Sequence, residues 1–131
     1  MVVDLTRSAD LKTSEHKTMK SGTLHKLAAF TINPEGGNPA GVWIGEKLPD
    51  PDTMSRIAAE VGFLETAFVA PTRGVHRVVR YFSPEAEVSF CGHATIATGV
   101  VLGETVGDGT YVLETAVGDV PVNVGVRNEL R

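Results

Sequence analysis

The sequence is poor in the residues that mark a redox framework, a nucleic-acid surface or a membrane span. Cys91 is its one cysteine, which excludes an intrachain disulfide, and a lone thiol suits a reducing compartment better than secretion. Lys12, Lys17, Lys20 and Lys26 are interspersed with Asp10, Glu15 and polar residues. With a net charge of −4 and no basic stripe, the chain lacks the electrostatic footprint of a nucleic-acid binder. No apolar run approaches the roughly 20 residues that cross a bilayer. Residues 1–22 lack the apolar segment of a secretory signal. The expectation is a soluble, cytoplasmic protein that binds neither nucleic acid nor membrane. There is no zinc motif, no P-loop and no dinucleotide fingerprint. His16, His25 and His76 have no metal-like spacing with one another or with Cys91, so no metal is expected.

What is present is an ordinary globular balance of 42% hydrophobic and 21% charged residues over 131 positions. That suffices for one domain burying roughly two-thirds of its unfolded surface. Residues 1–22 show neither a helical nor a strand period and read as a polar, flexible leader, which leaves 23–131 as the patterned domain. Two strands are expected around Leu24–Ile32 and Ala40–Ile44, separated by a turn from Asn33 to Pro39 rich in turn formers. Asp50 then reads as a helix N-cap and Pro51 as its first residue. Met54, Ile57, Ala58 and Val61 form one apolar face, and Gly62 is a C-terminal stop. Glu65–Ala70, ended by Pro71, and Val75–Phe82 read as strands, with a brief resumption at Val88–Phe90. Two more follow at Tyr111–Ala116 and Val120–Val126.

The most informative stretch is Gly92–Gly103. Its apolar residues cover nearly the whole circumference of a helix, and a helix apolar all round belongs inside a core. A doubly wound fold would need more crossover helices. The pattern therefore points to a single α+β domain in which a curved, mixed and mainly antiparallel sheet wraps around a central apolar helix.

Two places carry candidate chemistry. Glu65 lies among apolar neighbours in Gly62-Phe63-Leu64-Glu65-Thr66-Ala67-Phe68-Val69. Shelter from water disfavours a charged carboxylate, and a carboxyl tuned this way can give and take protons near neutral pH. The same residue also fits a solvent-facing strand edge. In Phe90-Cys91-Gly92-His93-Ala94-Thr95 a short apolar stretch meets the start of the buried helix. The first-turn N–H groups there attract anions, and Gly92 lets a ligand approach the backbone. His93 can hold a carboxylate or relay a proton, or serve structure alone. Cys91 is either a reactive thiolate at a helix start or a small buried hydrophobe. Asn38 is turn chemistry that can border a site. Glu85 and Glu87 are weaker candidates for a carboxylate pair.

Taken together, these segments resemble one family. Ala29-Phe30-Thr31 with Gly37-Asn38-Pro39-Ala40-Gly41-Val42, then Leu64-Glu65-Thr66-Ala67-Phe68-Val69, then Arg80-Tyr81-Phe82-Ser83-Pro84-Glu85-Ala86-Glu87-Val88 running into Cys91-Gly92-His93-Ala94-Thr95 resemble the N-terminal half of phenazine-biosynthesis-type (PhzF-like) isomerases. The resemblance implies a diaminopimelate epimerase-like fold: two similar domains, each a curved sheet around a helix, with the active site between them. It also implies cofactor-independent isomerisation, with Glu65 at the position of the proton-transferring residue and Gly92 and His93 at residues that touch substrate. Two departures stand out. Leu64 occupies a position where the family commonly has serine, and the chain ends before the second domain that normally supplies an aspartate and an anion-binding loop.

The first expectation is an isomerase that moves a proton on a small carboxylated substrate, cyclic or open-chain, with two copies pairing as a homodimer to complete the cleft. A second is a non-catalytic binding or structural half-domain, or a gene fragment. A third is a cysteine-based racemase or epimerase in which a symmetric dimer brings two copies of Cys91 together.

Overall fold

The computed structural model describes residues 3–7, 15–19, 21–27, 40–62 and 65–126. Along the chain the elements are β1 (Val3–Arg7), β2 (Glu15–Met19), β3 (Gly22–Leu27), β4 (Ala40–Gly45), α1 (Pro51–Val61), β5 (Glu65–Arg73), β6 (His76–Phe82), β7 (Glu87–Val88), α2 (Gly92–Thr105), β8 (Gly109–Thr115) and β9 (Gly118–Val126). All strands join one sheet in the order β1-β9-β8-β6-β5-β4-β3-β2, with β7 added to β6. Pairing is mixed and mainly antiparallel: β4–β5, β6–β8 and β1–β9 are parallel, and the remaining pairs are antiparallel.

Among the described residues, α2 packs on one face of the sheet and α1 on the other. Because side chains alternate along a strand, Val42 of β4, Ala67 and Val69 of β5, and Val79 and Tyr81 of β6 face α2. There they meet Ala94, Ala97, Val100, Val101 and Leu102 in the larger core. The intervening Trp43, Phe68 and Phe82 face α1 and pack with its Met54, Ile57 and Ala58. α2 touches β4 and β5 toward one side of the sheet and β9 and β1 at the other. A flat sheet could not meet one helix at both places, so the sheet is curved around it. The α+β architecture with a wrapped apolar helix is as the pattern required. Among the described residues no helix is long and apolar enough to cross a membrane.

The fold differs most from the sequence reading at two places, while β7 covers Glu87–Val88 where Val88–Phe90 was expected. Residues 1–22, read as lacking a strand period, contribute β1 and β2. β1 lies parallel to β9, and so distant a pairing leaves no local signal for a sequence window to detect. β5 also runs through Pro71 to Arg73 instead of stopping there. Its pairing with β4 ends at Val69, so Pro71 stands where that side of the strand is open and its missing N–H costs nothing in the ladder. The register shift between Pro71 and Arg73 absorbs the irregularity. On the α1 face, Trp43 lies over the paired glycines Gly22 and Gly45. A Cβ at either would overlap the Trp43 ring, so only glycine fits.

Candidate active site

The site forms where β5 begins and α2 begins. Glu65 is the first residue of β5, opposite Ala40, the first of β4. By strand alternation it shares the α2 face with Ala67 and Val69. The chain leaves β6, forms β7 and reaches α2 through Phe90, whose ring stands edge-on to Tyr81 at 5.6 Å. Cys91 is the N-cap, with an extended backbone at φ −145° and ψ 119°.

A buried chain of hydroxyls fixes this corner. The Thr95 hydroxyl donates to the Cys91 carbonyl at 2.8 Å, and the Thr95 N–H donates to the same oxygen at 3.0 Å. Tyr81 and Thr95 share a 2.6 Å hydrogen bond. A hydroxyl has one proton, and that of Thr95 is committed to Cys91, so Tyr81 is the donor in this pair. Burial pushes the Tyr81 phenol up to about 12 from 10.0, so it remains a donor across the neutral range.

The Cys91 side chain makes no capping hydrogen bond, and the first turn of α2 holds no acidic residue. The carboxylate nearest this helix mouth is brought from another element. The Cys91 thiol donates to Glu65 Oε1 at 3.7 Å, and Cys91 Sγ lies 4.0 Å from His93 Nδ1. One polar atom from each of Glu65, Cys91 and His93 falls within 4.8 Å of the other two, and all three residues are half-buried. Burial pushes the Cys91 thiol up. The Ala94 N–H opposes that rise, and the Glu65 carboxylate adds to it. Gly92 is exposed, and a Cβ built on it meets nothing within 4 Å, so the approach to the backbone is open. His93 Nε2 and Thr66 Oγ1 are buried without a hydrogen-bond partner among the described residues.

The structure thus brings Glu65, Cys91, Gly92 and His93 together. Asn38 lies outside the described residues. Glu87 is bound by Arg80 through two contacts of 2.8 and 2.7 Å, which hold its carboxyl below the usual range, and Glu85 is exposed on the preceding loop. Neither joins the trio. His76 pairs with Glu114 at 2.9 Å. A groove of about 460 Å³ beside Arg80, Glu87, Val88, Glu114 and Thr115 includes none of the trio. Its size does not make it the chemical site, because it gathers no unpartnered proton-transferring groups. The sequence reading gave no role to Tyr81 and Thr95. The signal available was a pair of hydroxyls at positions where the neighbours are apolar.

A sheet wrapped around an apolar helix, with a carboxylate set at the helix mouth, defines the class. The family model for phenazine biosynthesis-like proteins (PhzC-PhzF) matches residues 27–131. The uncharacterized isomerase YfhB of Bacillus subtilis is 35% identical over 113 residues, which are 84% of this chain and 39% of the relative. A crystal structure from the phenazine biosynthesis protein PhzF family of Enterococcus faecalis is 33% identical with a TM-score of 0.71, over 84% of this chain and 42% of that one. A predicted epimerase of Pseudomonas aeruginosa, 23% identical with a TM-score of 0.66 over 78% of this chain and 37% of its own, shares the fold alone. The chain belongs to the phenazine biosynthesis-like (PhzC-PhzF) family. It spans about two-fifths of the length of the relatives it matches.

Proposed function

We propose that this chain provides half of the active site of a cofactor-independent isomerase that relocates a proton on a small carboxylated substrate. The observation that carries the reading is the meeting of Glu65 with Cys91 and His93 at the mouth of α2. Glu65 takes a proton from a carbon acidified by conjugation and returns it to another carbon of the same molecule. The Gly92 N–H and the positive end of α2 bind the substrate carboxylate or the negative charge that develops, and His93 contacts the same group. The raised thiol of Cys91 favours this arrangement over thiolate catalysis, because the protonated sulfur is a poor base.

This chain matches about two-fifths of the length of its relatives, and the proposal needs a source for the remaining walls of the cleft. A second copy, packed about a twofold axis, supplies them in this proposal. Light scattering at micromolar concentration tests it, and a monomer at every concentration assayed would rule out the homodimer. The catalytic reading is tested by deuterium wash-in from solvent into cyclic carboxylated amino acids. Glu65→Gln should slow exchange by about 10²–10⁴-fold. Equal rates for the variant and the parent would remove Glu65 from the mechanism.

A further inference from the structure

We infer that Glu65, Cys91 and His93 form a binding site for a thiophilic divalent cation of the zinc class. The inference uses the residues of the proposed active site but does not rest on their being catalytic.

The donor set is one thiol, one imidazole and one carboxylate, brought from two elements whose nearest members are 26 residues apart in sequence. Thiolate and imidazole ligands select zinc over magnesium or calcium. For tetrahedral zinc, with Zn–S about 2.3 Å and Zn–N or Zn–O about 2.0–2.1 Å, sulfur stands about 3.5 Å from each lighter ligand. Here sulfur lies 3.7 Å from the carboxylate oxygen and 4.0 Å from the imidazole nitrogen, and the oxygen and nitrogen lie within 4.8 Å of each other, so side-chain rotations that move these atoms by up to about 1.5 Å close the set. Residues two apart on a helix do not face each other. Cys91 and His93 nevertheless converge, because Cys91 is the extended N-cap and not a helical residue.

A second observation concerns His93. Its Nε2 is buried without a partner, and its Nδ1 has only the long sulfur contact. Apart from that sulfur contact, no hydrogen bond among the described residues has to be broken for the His93 imidazole to take a cation, whereas His76, on β6, is committed to Glu114. Three protein ligands leave one tetrahedral position, and the exposed Gly92 gives access to it. On binding, the cation displaces the thiol proton to solvent, and sulfur, imidazole nitrogen and carboxylate oxygen each donate one lone pair. The same event occupies Glu65, so a bound cation and proton transfer by Glu65 exclude each other.

The test uses the full chain and does not depend on any activity. Calorimetric titration with zinc chloride should show one site per chain, and magnesium chloride should not compete for it. Cobalt chloride should produce the near-ultraviolet charge-transfer absorption that only a thiolate ligand gives. Cys91→Ser should abolish that absorption, and Cys91→Ser and Glu65→Gln should each weaken zinc binding by at least about tenfold, the lower bound seen for lost supporting contacts at metal sites. Circular dichroism checks that the variants fold. If they do not, the rate of Cys91 alkylation in the unaltered chain replaces them, and zinc should suppress it. The inference is overturned if both variants bind zinc as the parent does, if cobalt gives no thiolate band, or if zinc leaves alkylation unchanged. Loss of proton exchange in Glu65→Gln without any of these metal signals would leave the catalytic reading standing alone.

Discussion

The two helices lie on opposite faces of one sheet and are built on opposite principles. α1 is closed at both ends by its own neighbours. The Thr53 N–H donates to the Asp50 carboxylate at 2.9 Å, Pro51 begins the helix, and Gly62 ends it in the left-handed conformation at φ 73°. One stripe of α1 is buried, while Ala59 and Glu60 are exposed. α2 is buried from Ala94 to Gly103 on nearly every side, yet its N-cap makes no side-chain hydrogen bond. A helix start left uncapped by its own sequence is available to a partner from elsewhere, and that is where Glu65 arrives. The contrast separates a helix that completes a structure from one that presents a site.

The sharpest way to break the contrast is to place the same charge on each helix. Ala97 is fully buried, so Ala97→Glu sets an unpaired carboxylate in the core and should cost at least about 3–5 kcal/mol. Ala59→Glu falls on the exposed face of α1 and should change stability by no more than about 0.5 kcal/mol. Urea unfolding followed by circular dichroism reads both. Comparable losses would mean that α2 is not the wrapped helix.

Next in size is the anchoring of the start of α2 through Tyr81. Its phenol titrates at 10.0 when unperturbed and at about 12 in the fold. Below pH 10 both folded and unfolded chains hold the proton, and the full contribution is present. Between pH 10 and about 12 the unfolded chain releases its proton while the folded chain keeps it, so stability falls as pH rises. About two pKa units correspond to as much as about 3 kcal/mol. Tyr81→Phe keeps the ring and removes the titration. It should cost about 1 kcal/mol at neutral pH through the lost bond to Thr95 and should flatten the alkaline decline. An unchanged slope in the variant would detach Tyr81 from that decline.

How far the sequence could be read follows the same division. α1 was legible because Asp50, Pro51 and Gly62 act within a few residues of one another. α2 was legible from its all-round apolarity, although it runs two residues past Gly103 to Thr105. The pairing of β1 with β9 was not legible, since parallel strands so far apart share no local pattern. Nor was the passage of β5 through Pro71, which depends on where β4 stops pairing. In the site, the Cys91-Gly92-His93 corner is contiguous and could be read as a helix start. The approach of Glu65 to it is a property of the sheet, and only the family resemblance pointed there. The zinc-class donor set escaped for the same reason, because a spacing rule cannot join residues 26 positions apart.

The two smallest effects sharpen the comparison most finely, because they exchange the capping chemistry of the two helices. Asp50→Ala removes the side-chain cap of α1 at 2.9 Å and should destabilise the protein by about 1 kcal/mol. Cys91→Ser does the reverse at α2. It places a preferred capping oxygen on a residue whose backbone already has the extended N-cap conformation, and should stabilise the fold by a few tenths of a kcal/mol, up to about 0.5. The cost should appear in binding instead: a hydroxyl that accepts the first-turn N–H groups competes with a substrate carboxylate for them. Thermal unfolding and titration with a carboxylated amino acid, run on both variants, should therefore move in opposite directions for Cys91→Ser. If Cys91→Ser instead lost more than about 1 kcal/mol, the sulfur would be a packing element of the core, and the uncapped start of α2 would owe nothing to ligand binding.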